Sequence, residues 1–325
     1  MTDLWQQSSG DFDNVFQQPV DVRDLFVNWH APSSAYGVTI GRRAFPDNPA
    51  LDGDSQQGAG FTIKFPTETT LDLTVMNRWI KYSTTNYDAW GITGWRNVNA
   101  VHLKAGDAFL AVSAQLPLGP HLRVSPFVNY QEAVLGVYGA TIDLSLPVST
   151  WPLTAHTNAP SEDTGSTRWT SELILAYYQN RFPSAFAPEY EDVWSGRIHS
   201  GIKGQDFSAG IGVFWIGHGS LDTGAGLFAD FDPLQEDDLY PYNDQNNAHL
   251  FYIDGSITLG KIRLQPALGI GRNDAIGRDS VELDLFFSYP LSKRIDLAGY
   301  LVRVDFSGEE PPNYTKIGTS ISYNF

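Results

Sequence analysis

The stretch VELDLFFSY, residues 281–289, sets Val281, Leu283, Leu285, Phe287 and Tyr289 on one face and Glu282, Asp284, Phe286 and Ser288 on the other. A two-residue period marks an extended strand whose faces meet different surroundings. The same alternation recurs in LRVSPFVNY (122–130), IRLQPALGI (262–270), FSAGIGVFW (207–215), FYIDGSITL (251–259) and FTIKF (61–65). Helical periodicity is nearly absent. These segments run to roughly 9–13 residues, the length that carries a tilted strand across a bilayer.

The breaks between segments come in two sizes. Short ones are APSSA (31–35), PTE (66–68), PLGP (117–120), KGQD (203–206), LGK (259–261) and PLSK (290–293), each with tight-turn chemistry. Longer ones fall at 45–56, 82–97, 182–191, 218–246 and 305–313. Short and long mostly alternate, as in an up-and-down barrel with turns at one end and loops at the other. The region 147–168 interrupts this rhythm. About 15 strands are legible, an odd number, where closed single-chain barrels favour even ones. One more strand is therefore expected, missed in the reading or lying before Met1. The start, MTDLWQQSSGDFDNVFQQ, shows neither a basic nor an apolar leader region, and residues 1–19 read as a polar segment. No linker or repeat divides the chain, so 1–325 is read as one domain.

Composition excludes several classes. No run approaches 18 apolar residues, so no transmembrane helix is encoded; strands that alternate escape that test. A net charge of −16 gives no basic footprint for nucleic acid. Cysteine is absent, so there is neither a disulfide framework nor a thiolate metal site.

Two features favour lipid over a protein core. The apolar faces often end in Trp or Tyr (Trp29, Tyr36, Trp79, Tyr130, Tyr138, Trp215, Tyr289, Tyr323), rings that prefer the headgroup level. The opposite faces carry charge: Arg43, Lys64, Asp72, Arg78, Arg123, Arg197, Asp254, Arg263, Glu282 and Asp284. A β-sandwich would also have one apolar face per strand, but with strands of about five to six residues and no reason for aromatic ends. The expected fold is a transmembrane antiparallel up-and-down β-barrel, about 15–16 strands in this chain and about 16–18 when complete.

The last residues, GTSISYNF (318–325), continue the pattern, with Ile317, Ile321, Tyr323 and Phe325 on the apolar row. They resemble the C-terminal signature of bacterial outer-membrane proteins, a final Phe with Tyr two residues before it. In those proteins the barrel assembly machinery reads this signal, which the resemblance assigns to Phe325. A second resemblance lies at 22–80, where Gly41, Arg42, Pro46, Pro49 and Gly60 mark a strand–turn–strand block. This block is similar to that of OprD-like porins, including the Campylobacter-type major porins. The resemblance implies a Gram-negative outer membrane, with lipid and lipopolysaccharide around the wall. It implies passive diffusion of small hydrophilic solutes or ions through a charged constriction. Homotrimers are common among porins, and no subunit-facing strip is legible here. The alternatives are a soluble β-rich binding protein and an outer-membrane hydrolase.

The ten charged positions named above are the constriction candidates, because rings of charge select ions and guanidinium groups suit carboxylates. Charges balanced along the wall are the plainer reading. The segment 218–246 holds seven acids and no Lys or Arg. Of these, Asp230, Asp232, Glu236, Asp237 and Asp238 could offer oxygen ligands to Ca²⁺, although the spacing is not that of an EF-hand. The other readings are a solvated acidic loop, or a loop that folds inward, narrows the pore and favours cations. No other cofactor is implied. The seven histidines form no HExxH motif, no catalytic triad is legible, and His199 and His102 read as lumen or aromatic-belt residues.

Overall fold

Each alternating segment is a strand, and consecutive strands pair antiparallel. The structure, a computed structural model, describes residues 25–32, 35–43, 56–79, 96–97, 109–131, 135–148, 167–180, 191–220, 231–234, 245–307 and 313–323. The strands are β1 (Leu25–His30), β2 (Tyr36–Arg43), β3 (Gln56–Lys64), β4 (Thr70–Trp79), β5 (Arg96–Asn97), β6 (Phe109–Pro117), β7 (Leu122–Gln131) and β8 (Leu135–Pro147). They continue with β9 (Arg168–Asn180), β10 (Val193–Lys203), β11 (Phe207–Ser220), β12 (Gln245–Leu259), β13 (Ile262–Asn273), β14 (Arg278–Pro290), β15 (Ile295–Phe306) and β16 (Tyr314–Tyr323). All lie in one sheet in chain order, except that the two-residue β5 pairs with β4 beside the main path.

The sheet is not closed: β1 and β16 are its edges. Both run toward the short-turn end, so a direct seam between them would be parallel. An antiparallel seam takes an odd number of further strands. The short turns fall together at one end, as the sequence suggests, except that β8 and β9 are joined there by about 20 residues. At the other end two connections are short, 132–134 and 274–277, among longer ones.

The two faces differ as the period requires. One is exposed and apolar: Ile198, Ile211, Ile253, Ile270, Val281, Leu283 and Ile317 each leave 42–73% of their surface uncovered. This apolar face continues over every strand from β1 to β4 and from β6 to β16. A monomer in water rarely shows a continuous apolar patch above a few hundred Å². Trp29, Tyr36, Trp169 and Tyr289 lie toward the short-turn end of this face. Tyr130, Tyr177, Trp194 and Trp215 lie toward the other end, and the Tyr177 and Trp194 rings meet at 4.9 Å. Two aromatic girdles thus flank an aliphatic band, the arrangement of a lipid-facing wall.

The inner face corrects one expectation, since it is not polar throughout. Its long-loop half is buried and largely apolar: Met76, Phe109, Val137, Ile174, Tyr178, Phe214, Ile216, Leu250, Tyr252, Val302 and Val304 expose 0–4%. The buried amides Asn246 and Asn273 bond each other there at 2.8 Å. Only the short-turn half is polar and open. Strands that are apolar on both faces lose their alternation, as VFWI (213–216) and LFYI (250–253) do.

The Gly41–Arg42 pair has a physical reason. Gly41 has φ +131°, and a Cβ there would stand 2.2 Å from the Leu25 carbonyl oxygen across the β1–β2 ladder. Gly41→Ala is expected to destabilise the folded protein by roughly 1–3 kcal/mol. The check is a denaturant titration of the protein in vesicles; unchanged stability would show that β1 yields without cost.

Candidate functional site

A loop tip reaches into the curl of the sheet. Residues 231–234, Phe-Asp-Pro-Leu, belong to the connection between β11 and β12, yet Phe231 exposes only 6% of its surface. Three contacts hold them against the inner wall. The Phe231 ring lies 6.2 Å from that of Phe127 on β7. Arg197 on β10 donates from Nη1 to the Phe231 carbonyl at 3.3 Å. Leu234 Cδ1 lies 2.3 Å from where a Cβ on Gly269 of β13 would stand. These anchors span seven consecutive strands.

Local chemistry explains the shape. The Asp232 carboxylate accepts a hydrogen bond from the Leu234 N–H at 2.9 Å, an Asx turn closed over Pro233. Phe231 adopts φ +68°, a left-handed conformation unusual for a bulky residue, and the surrounding contacts must hold it. Glycine makes room on the wall twice. Gly269 leaves a notch for Leu234, and Gly139 leaves one for Phe127, whose Cζ lies 2.5 Å from where its Cβ would stand.

Below the tip, toward the short turns, opens a cavity of about 670 Å³. Pro233 and Leu234 border it at the tip. Its walls include His199, Lys203, Ser208, Asp254, Ser256, Arg263, Gln265 and Asp284. His199 bonds the Asp254 carboxylate through Nε2 at 3.1 Å and stacks on Tyr252, ring centroids 5.8 Å apart. Glu172 on β9 pairs with Arg197 at 2.5 Å. Cations and carboxylates of the wall are thus interleaved.

The candidate residues fare as follows. Lys64, Asp72, Arg123, Arg197, Asp254, Arg263, Glu282 and Asp284 all lie on the inner face. Arg197, Asp254, Arg263 and Asp284 gather around the tip and its cavity. Lys64, Asp72 and Arg123 sit on β3, β4 and β7, away from that cavity. Asp72 accepts from Thr62 Oγ1 at 2.5 Å. Glu282 and Asp284 are buried, at 5% and 2% exposure, rather than presented to open water. The side chains of Arg43 and Arg78 lie outside the described residues, as do His102, Asp230, Glu236, Asp237, Asp238 and Phe325. Asp232 spends one carboxylate oxygen on the Asx turn.

Four residues that face the lumen went unread. Arg168 ends the segment 147–168 and Glu172 follows it, and that segment masked the phase of β9; Arg168 donates from Nε to Ser145 Oγ at 2.9 Å. Phe231 and Leu234 were hidden among the loop's acids. Two apolar side chains flanking Asp-Pro in an otherwise acidic loop were the available signal.

No protein-family model and no curated protein matches the chain in sequence. Solved structures do match in fold. OccAB4 of Acinetobacter baumannii aligns at TM-score 0.64 and 10% identity, covering 89% of this chain and 71% of that one. OccK10 (OpdN) of Pseudomonas aeruginosa aligns at 0.64 and 11%, covering 90% and 81%. OpdK of the same species, described as an outer membrane protein, aligns at 0.62 and 13%, covering 89% and 77%; it has also been solved with vanillate. At these identities the likeness is one of fold: the chain has the antiparallel sheet of the OprD-like barrels that residues 22–80 resemble.

Proposed function

We propose that the chain forms a passive diffusion channel for small hydrophilic solutes and ions in a Gram-negative outer membrane. The observation that carries this reading is the pairing of an exposed apolar wall with a polar inner cavity narrowed by the tip 231–234. Every backbone group in a bilayer must be bonded, and a strand wall that is apolar outside satisfies that condition once closed. The fold neighbours support it, since they are OprD-family outer-membrane channels. Arg197, Asp254 and Arg263 form the charged constriction together with the tip, with the Asp284 carboxylate buried in the same wall. Lipid and lipopolysaccharide surround the wall, Phe325 addresses the assembly machinery, and a homotrimer is the assembly common to porins.

The soluble binding protein has no support in this wall, whose apolar side faces outward. A hydrolase would need a nucleophile beside its base. His199 is bonded to Asp254 and stacked on Tyr252, and no hydroxyl among the described residues bonds that ring.

Planar-bilayer recording under a KCl gradient tests the proposal. With a net charge of −16 and seven acids in the segment 218–246, the reversal potential is expected to show preference for K⁺ over Cl⁻. A protein that inserts but never conducts would refute the channel. A reversal potential favouring Cl⁻ would refute the cation preference alone.

A further inference from the structure

We propose that Arg197 is the positioning residue that latches the tip across the lumen, with Glu172 holding its guanidinium; this rests on the channel reading above. Arg197 reaches from the wall to the tip's backbone, through the 3.3 Å bond to the Phe231 carbonyl. Its other terminal nitrogen is held at 2.5 Å by Glu172 of the neighbouring strand. A guanidinium can do both at once because its donors are fixed in one plane. The side chains of both partners are only partly exposed, 22% and 33%, so water competes weakly for the arrangement. Two further anchors are apolar, Phe231 on Phe127 and Leu234 in the Gly269 notch. Such contacts press the tip inward without direction, whereas the Arg197 bond sets the height at which it crosses. The left-handed backbone at Phe231 is disfavoured by itself, so the tip is expected to relax when the bond is removed.

Two readouts test this, one of them independent of conduction. The chain has no cysteine, so Pro233→Cys supplies a single thiol on the tip and leaves the Asp232 carboxylate in place. With a water-soluble maleimide, labelling is expected to run several-fold faster when Arg197→Met or Glu172→Gln is added, and to return toward the parent rate in Arg197→Lys. Equal labelling rates in all four proteins would overturn the latch. In bilayers, Arg197→Met is expected to raise conductance in the full chain and to change little once residues 231–234 are deleted, since coupled sites are non-additive. An equal effect in both backgrounds would show that Arg197 acts on ions directly and not through the tip. If the parent labels slowly but does not conduct, the channel reading fails while the latch stands.

Discussion

Deleting residues 231–234 and closing the gap with glycines is expected to raise single-channel conductance roughly two-fold or more, because conduction is governed by the narrowest section. The tip contacts β7, β10 and β13 together, so it occupies space that ions would otherwise cross. Its removal also leaves Arg197 facing water and opens the cavity toward the loop end. Cation preference is expected to fall, since Asp232 leaves with the deletion while Arg197 keeps its pairing with Glu172. The folded wall should persist, because the strand ladders on either side of the loop do not depend on the tip. Unchanged currents would mean that the tip lies outside the conducting path.

A charge on the outward face gives the second large effect. Ile253 sits near the middle of β12, 44% exposed, with Phe251 and Ile257 on the same row. Ile253→Arg is expected to cost about 2–4 kcal/mol, the range for arginine at a bilayer midplane. That corresponds to roughly a 30- to 1000-fold loss in the folding equilibrium into vesicles. Gln265→Arg is the matched control: Gln265 lies on the inner cavity wall, and the added charge should cost under about 0.5 kcal/mol. A water-facing wall would make the two substitutions alike, and that result would overturn the membrane assignment.

The strands were legible because two faces that meet different surroundings force alternation along most of each strand. Ile262–Ile270 was read with the correct faces, and β13 merely extends it to Asn273. The turns at 204–206 and 260–261 announced themselves through glycine beside a polar residue. The inner apolar half was not anticipated. Phe214, Ile216, Leu250 and Tyr252 face inward yet are oily, because the inner wall near the loops is covered rather than hydrated. Alternation reports the polarity of what a face meets, not which side of the barrel it is on. The eight constriction candidates whose side chains are described could be placed on the inner face by parity alone. Which of them meet was a matter of strand stagger and of one loop's inward fold, and neither is written in a local pattern. Arg197 thus stood among ten equals until Glu172 and the Phe231 carbonyl were found beside it.

The most direct check on the account uses spin labels placed singly at positions 262–265, 267, 268 and 270 of β13 in lipid vesicles. Collisions with oxygen, which concentrates in hydrocarbon, should peak at 262, 264, 268 and 270. Collisions with a water-soluble nickel chelate should peak at 263, 265 and 267, the positions facing the cavity. Chelate reaching both sets equally would contradict the account, as would a profile with no two-residue period.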